Sequence, residues 1–351
     1  MINIKLSKTK YLIESLSEDE RLSAVQFIGN DEYKCTVLVE QLLHGAQNVY
    51  VLKKCENKIS KMCALFFIRH KSTIFHYFSN YDNFGDDSLK KVLQKWLKNF
   101  QIFCVYGEEQ GTRYLNSLIK NPIIKSNEYI LMINDLAGIG ENAEIGRIPA
   151  GSEKDVKFDG TSVEKIGDEV ARVDIGKVAG RENEADGNEE IFEKNADLEN
   201  LTYKIKKCLL EDKDKLKLLE KFYRKEEVAI TDKEEDDKII DFVLNNSLLN
   251  QKVFAAFVDA GCINLASKAV CKVQTNGQGK SFCQIGGVYT LSEWRNKKIC
   301  YNVLKRLLCE IKSENKKAVL FVKVKNFSAQ KVYKNLGFVE VGRYVISYFQ
   351  K

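Results

Sequence analysis

The chain has 351 residues, of which 44% are apolar, 10% aromatic and 30% charged, with a formal net charge of +6. That composition can bury a core and excludes wholesale disorder, and the length predicts two domains. No apolar run approaches the roughly 18 residues of a membrane span, and the opening MINIKLSKTKYLIESL has neither a continuous apolar stretch nor a small-residue cleavage site, so a cytoplasmic location is expected.

In chain order, residues 48–52 and 62–68 read as a strand pair around the polar turn CENKIS, and 72–78 as a third strand. An amphipathic helix over 88–99, a strand over 102–106, a helix opening near Gly111 and a strand over 129–133 complete an α/β unit spanning 1–135. Its histidines, His44, His70 and His76, are the only ones in the chain and are expected to be structural. Residues 136–200 carry 17 acidic and 8 basic side chains with nine glycines and little apolar periodicity, which predicts an acidic, flexible linker or insertion.

Beyond it, 214–225 and 236–249 have apolar residues at helical spacing. Strands are expected at 253–258, 263–273 and 282–291, then a helix from Ile299, a strand over 318–324, a helix over 328–336 ended by a left-handed Gly337, and an edge strand over 339–349. The order demands a mixed, mostly antiparallel sheet flanked by helices, an α/β (α+β) fold over 201–351. Residues 251–351 hold 18 basic and 5 acidic side chains, so an anionic partner is expected. Ten cysteines are scattered without a CxxC pair or a Cys/His cluster, so they read as small core residues and no metal is expected.

The segment QIGGVYTLSEWRNKKICYNVLKRLL and, about 15 residues on, LFVKVKNFSAQKVYKNLGFVEVG carry Asn326, Ala329, Tyr333 and the run Leu336 to Phe338. These blocks resemble the two core motifs of the GNAT acyltransferase superfamily, in a subgroup where an N-terminal domain precedes the acyltransferase; the element order over 1–135 would suit a degenerate second copy of the same fold. The resemblance implies acetyl-CoA as cofactor and direct transfer of its acetyl group to a primary amine in a ternary complex. It also implies that the strand from Gln284 parts from its neighbour, so that amides at Val288, Tyr289 and Thr290 face the cofactor, with Gly286 and Gly287 permitting a bulge.

The family's pyrophosphate loop reads here Arg295, Asn296, Lys297, Lys298, Ile299, Cys300. Lys298 stands where the family has glycine and Cys300 where it has a small residue. A side chain at 298 would resist the backbone angle the glycine adopts, while Lys297 and Lys298 add charge for the phosphates. Asn326 and Ala329 are carried over to the cofactor site. Tyr333 takes the position of the tyrosine that donates a proton to the departing thiolate, a transfer compatible with a phenol pKa near ~10 and a thiol near ~8.5. No histidine follows His76 to serve as general base; the family layout that the resemblance implies would put Glu226 or Glu227 near the acceptor cleft, with Asp259, Glu293 or a chain of water molecules as alternatives. The acceptor is an amine-bearing small molecule or protein. A catalytically inert GNAT-like module that binds acyl-CoA or a protein partner is the rival reading, and nucleic-acid binding has charge but no signature motif behind it.

Overall fold

The structure, a computed structural model, describes residues 10–56, 59–139, 169–173, 201–229, 235–258 and 268–350. Of the expected acidic linker, only residues 136–139 and 169–173 fall within it, and the turn before β10, with Asp259, lies outside the described residues. The elements run β1 (Lys10–Ser15), α1 (Arg21–Ile28), α2 (Thr36–Leu43), β2 (Val49–Glu56), β3 (Ile59–Arg69), β4 (Thr73–Phe78), α3 (Asp87–Leu97), β5 (Cys104–Glu108), α4 (Glu109–Leu118) and β6 (Ile123–Asn134). They continue β7 (Glu169–Val173), β8 (Leu201–Lys207), α5 (Lys213–Tyr223), α6 (Asp237–Asn250), β9 (Val253–Val258), β10 (Lys268–Gln278), β11 (Phe282–Thr290), α7 (Ile299–Ser313), β12 (Lys317–Lys323), α8 (Phe327–Asn335) and β13 (Val339–Phe349).

The chain divides into two compact units that do not follow sequence order. The first takes residues 1–139, 275–286 and 308–351, and the second takes 140–274 and 287–307. In the first unit β1, β2, β3 and β4 form an antiparallel meander. β4 then runs parallel to β5, which pairs with β13; β13 pairs in turn with β6, and β6 with β12. β13 was expected at an edge, and this corrects that expectation: it bonds β5 on one side and β6 on the other. The physical reason lies in its composition, because Tyr344 to Ile346 are three consecutive buried apolar residues and Ser347 after them is fully buried. A strand covered on both faces reads as a continuous apolar run, whereas an edge strand alternates or carries charge.

The apolar core of the first unit gathers α3 and α4 on one face of the meander, with Phe66, Leu93, Trp96 and Leu115 fully or nearly fully buried. α1 and α2 cover the other face through Ile28, Leu38 and Leu42 against Val51, Leu65 and Phe75. The last turn before β11 is fixed by an acid far away in sequence. Glu32 accepts the backbone amides of Ser281 and Phe282 at 2.9 Å, while Gln278 donates its amide to Glu40 at 3.0 Å.

In the second unit β7, β8, β9 and the first part of β10 form an antiparallel ladder. All six residues of β9, VFAAFV, are buried, as befits an interior strand. α5 buries Leu216 and Leu219 and α6 buries Ile240 and Leu244. At the centre of this layer lies a buried ion pair: Lys272 donates to Glu220 at 2.5 Å and to the side-chain oxygen of Gln274 at 2.8 Å, and Gln274 donates to Ser247 at 3.2 Å. Such a pair survives burial because every charge in it has a partner.

Candidate active site

The candidate site is built on β11 and on the loop that leads from it into α7. β11 runs parallel to β12 for four residues, from Phe282↔Lys317 to Ile285↔Leu320. Gly286, the next residue, lies outside that ladder, as does Phe321 on β12. Gly287 follows with φ 56, a left-handed angle that glycine adopts at little cost. Both glycines are also packed tightly. A Cβ on Gly286 would stand 1.9 Å from the side-chain nitrogen of Asn276, and one on Gly287 would stand 2.7 Å from Cγ of Gln274. They serve the bend and the crowding together.

The loop after β11 has two further left-handed residues, Asn296 at φ 63 and Lys298 at φ 59. Asparagine tolerates this region, but a lysine there costs roughly 1–2 kcal/mol. The backbone therefore makes the glycine-like angle at 298 despite the side chain, which is exposed. α7 starts at the next residue, and its first backbone bond runs from the amide of Asn302 to the carbonyl of Lys298 at 3.1 Å. The amides ahead of Asn302 have no intrahelical acceptor. There is no acidic residue in this first turn, and Arg295, Lys297 and Lys298 precede it. An N-terminus of this kind attracts an anion through its amides and its dipole. Lys297 also lies over the ring of Trp294, 5.1 Å from its centre. Cys300 is partly buried in the first turn, with Cys271 and Thr290 as its neighbours. Thr290 donates its hydroxyl to Cys271 at 3.2 Å.

Glu226 and Glu227 occupy a single π-helical turn, Arg224–Val228, which extends α5. The sequence spacing suggested the end of an ordinary helix; the wider turn was not legible there. Glu226 uses both oxygens: Tyr289 donates its hydroxyl to one at 2.6 Å, and Arg295 donates Nη2 to the other at 2.8 Å. Arg295 also donates Nε to the carbonyl of Thr290 at 3.0 Å. Partial burial works to raise the Glu226 pKa, but the bonds from Tyr289 and Arg295 outweigh it and hold the carboxyl below its ordinary value. Tyr289 is pushed above the usual phenol range, first by burial and then by the Glu226 charge. The structure thus brings Glu226, Tyr289, Thr290 and Arg295 into one cluster.

The remaining candidates belong to the first unit. Asn326 caps α8 by accepting the amide of Ala329 at 3.1 Å. Tyr333 is buried on α8 with its ring edge-on to Phe338, 5.9 Å between centres. Gly337 ends the helix at φ 91, as its position in the sequence predicts. Among the described residues no group of three or more His, Cys, Asp or Glu side chains could hold a metal ion, and no helix is long and apolar enough to cross a membrane.

The acetyltransferase (GNAT) family model matches residues 208–338. Several solved structures share the fold across nearly the full chain. A Drosophila protein aligns with TM-score 0.56 and 10% identity over 96% of this chain and 98% of its own. A tandem GNAT protein from the clavulanic acid biosynthesis pathway, solved without acetyl-CoA, aligns with TM-score 0.52 and 8% identity over 96% and 98%. A GCN5-related N-acetyltransferase from Sphaerobacter thermophilus gives 0.50 and 11% over 96% and 94%. At these identities the likeness is one of fold. No curated protein matches the sequence.

Proposed function

We propose that this chain, whose residues 208–338 are a domain of the acetyltransferase (GNAT) family, is an acetyl-CoA-dependent N-acyltransferase acting on a primary amine of a small molecule or protein. The observation that carries the reading is the left-handed Lys298 at the mouth of α7. A lysine strained into a glycine's conformation just before an acid-free, lysine-flanked helix N-terminus is what an anion-binding loop requires. Backbone amides of α7, with Arg295, Asn296, Lys297, Lys298, Ile299 and Cys300, would hold the pyrophosphate. The amides of Val288, Tyr289 and Thr290 would face the pantetheine arm and the carbonyl that becomes negatively charged during transfer. Acetyl-CoA, when bound, supplies the activated acetyl group. Glu226 or Glu227 would take the first proton of the acceptor ammonium, Tyr333 would give its phenolic proton to the departing sulfur, and the second proton shed by the nitrogen as the amide forms would restore the phenol. Asn326 and Ala329 would belong to the cofactor site, and their mutual bond starts the helix that carries Tyr333.

A second reading, an inert module that binds acyl-CoA without transferring the acyl group, draws support from Glu226, whose two oxygens are already engaged. Calorimetric titration with acetyl-CoA tests both. One cofactor bound per chain at micromolar affinity, followed by release of free thiol in the presence of a panel of amines, is the expected outcome. Absence of heat would remove both readings, and binding without thiol release across the panel would favour the inert module.

A further inference from the structure

Arg295 is the first cation of the proposed phosphate loop, yet in the free protein it is committed elsewhere. Its Nη2 is bonded to Glu226 and its Nε to the carbonyl of Thr290, and its guanidinium lies 5.4 Å from the centre of the Tyr289 ring. Glu226 comes from a part of the chain that ends long before β11 begins. It is presented by a π-helical turn, a rare conformation that recurs at functional sites. That turn is braced at both ends. The amide of Ala229 donates to the carbonyl of Arg224 at 2.7 Å, and Arg224 is bonded in a fork to Glu235, with one arm at 2.9 Å. The acid is therefore held in place while the arginine, on an exposed loop, can leave it.

The strength of the pair fits a device that opens. Both side chains are 45% exposed, and an ion pair at such exposure contributes about 0–1 kcal/mol. A diphosphate offers two charges and several oxygens to the same guanidinium and can outcompete a single carboxylate. Resting on the reading of this site as an acetyl-CoA site, we propose that the Glu226–Arg295 pair is a latch that orders the two substrates. Arrival of the cofactor diphosphate draws Arg295 away, and only then is the Glu226 carboxylate free to receive a proton from the acceptor ammonium. No covalent bond changes in this step; one ion pair is exchanged for another. Tyr289, bonded to the other oxygen, keeps Glu226 oriented while Arg295 leaves.

The test is a double-mutant cycle read by coenzyme A titration, which needs no knowledge of the acceptor. E226Q, on an exposed side chain and checked by thermal melting, should tighten coenzyme A binding about two- to fivefold, because the competitor for Arg295 is gone. R295Q should weaken it about tenfold. In the double variant the gain from E226Q should vanish, leaving the affinity of R295Q alone. Unchanged or weaker binding by E226Q overturns the latch. So does an equal gain with and without Arg295, since that would make Glu226 a general repulsive charge. If the wild-type chain itself gives no heat with coenzyme A, the acetyl-CoA reading and the latch fall together; if it binds and the cycle fails, only the latch falls.

Discussion

Two places in the molecule have the same layout and opposite chemistry. In the N-terminal part, β4 runs parallel to β5 for three pairs, ending at Phe75↔Tyr106. In the C-terminal part, β11 runs parallel to β12 for four, ending at Ile285↔Leu320. The residue after the last pair is His76 in one and Gly286 in the other. His76 is fully buried, bonded to the Thr112 hydroxyl at 2.8 Å, and its ring lies where side chains on Gly107 and Gly111 would otherwise be, 2.2 and 2.6 Å from their would-be Cβ atoms. The helix after each parallel strand differs in the same sense. Asp86 caps α3 by accepting the amide of Ser88 at 2.8 Å, and Asp87 follows in the first turn; α7 has no acid in its first turn and three cations ahead of it. Seven residues past the helix cap, α4 has Leu115 where α8 has Tyr333. One region fills its gap with a side chain and its helix N-terminus with carboxylates. The other has glycine at the corresponding strand position and cations rather than acids ahead of its helix. The same framework thus holds a buried ring and acids in one region and glycine and cations in the other, and a handful of residues makes the difference.

The largest expected effect breaks the comparison at its third point. If Tyr333 has the proton-donating role proposed for it and Leu115, at the matching place on α4, has none, Tyr333→Phe should slow acetyl transfer by about 100-fold or more, with coenzyme A affinity changed less than twofold. Equal losses in rate and affinity would make Tyr333 a packing residue like Leu115.

His76 gives the next effect, on stability. Burial lowers its pKa from 6.5 to about 3. A base whose folded pKa is depressed binds fewer protons folded than unfolded between those two values, so stability is full above pH 6.5 and falls as the pH drops below it. At pH 4.5 the loss attributable to this one imidazole is about 2–3 kcal/mol. Urea melts of the wild type and His76→Gln between pH 4.5 and 7.5 should differ in slope by about one proton. Parallel curves would mean that the ring is accessible to protons when folded, and that the gap between β4 and β5 is open rather than filled.

Much of the C-terminal half was legible because local rules are strong there. The NLGF run ends α8 where glycine permits a left-handed angle, and the apolar spacing from Ile299 gives α7 its buried face. What escaped the sequence was set by partners distant in the chain. β13 looked like an edge strand because its neighbour β6 lies some 200 residues earlier, although the run YVISYF already had the composition of an interior strand. β1, α1, α2 and β8 were not foreseen, since short segments such as KYLIES and LTYKIKK gain their order from the strands beside them. At the site, the family resemblance pointed to Glu226 and Arg295 separately; their pairing depends on a π turn that no periodicity announces. The sequence pointed to a bulge at Gly286 and Gly287; the crowding around them comes from Asn276 and Gln274, which no local pattern announces.

The smallest effect concerns Lys298, which stands where the GNAT pattern has glycine. Lys298 already occupies the left-handed region, so glycine there would relieve strain without moving the backbone. Lys298→Gly should raise stability by about 1 kcal/mol, which a denaturant midpoint can read. For coenzyme A the sign follows from charge, because the loop conformation is the same before and after: one cation is lost beside the phosphates, and affinity should fall about two- to fivefold at low salt, with the difference shrinking as salt is added. A tighter complex would show that the lysine side chain obstructs the anion site, and the loop would then resemble the self-occupied N-terminus of α3 more than a binding site.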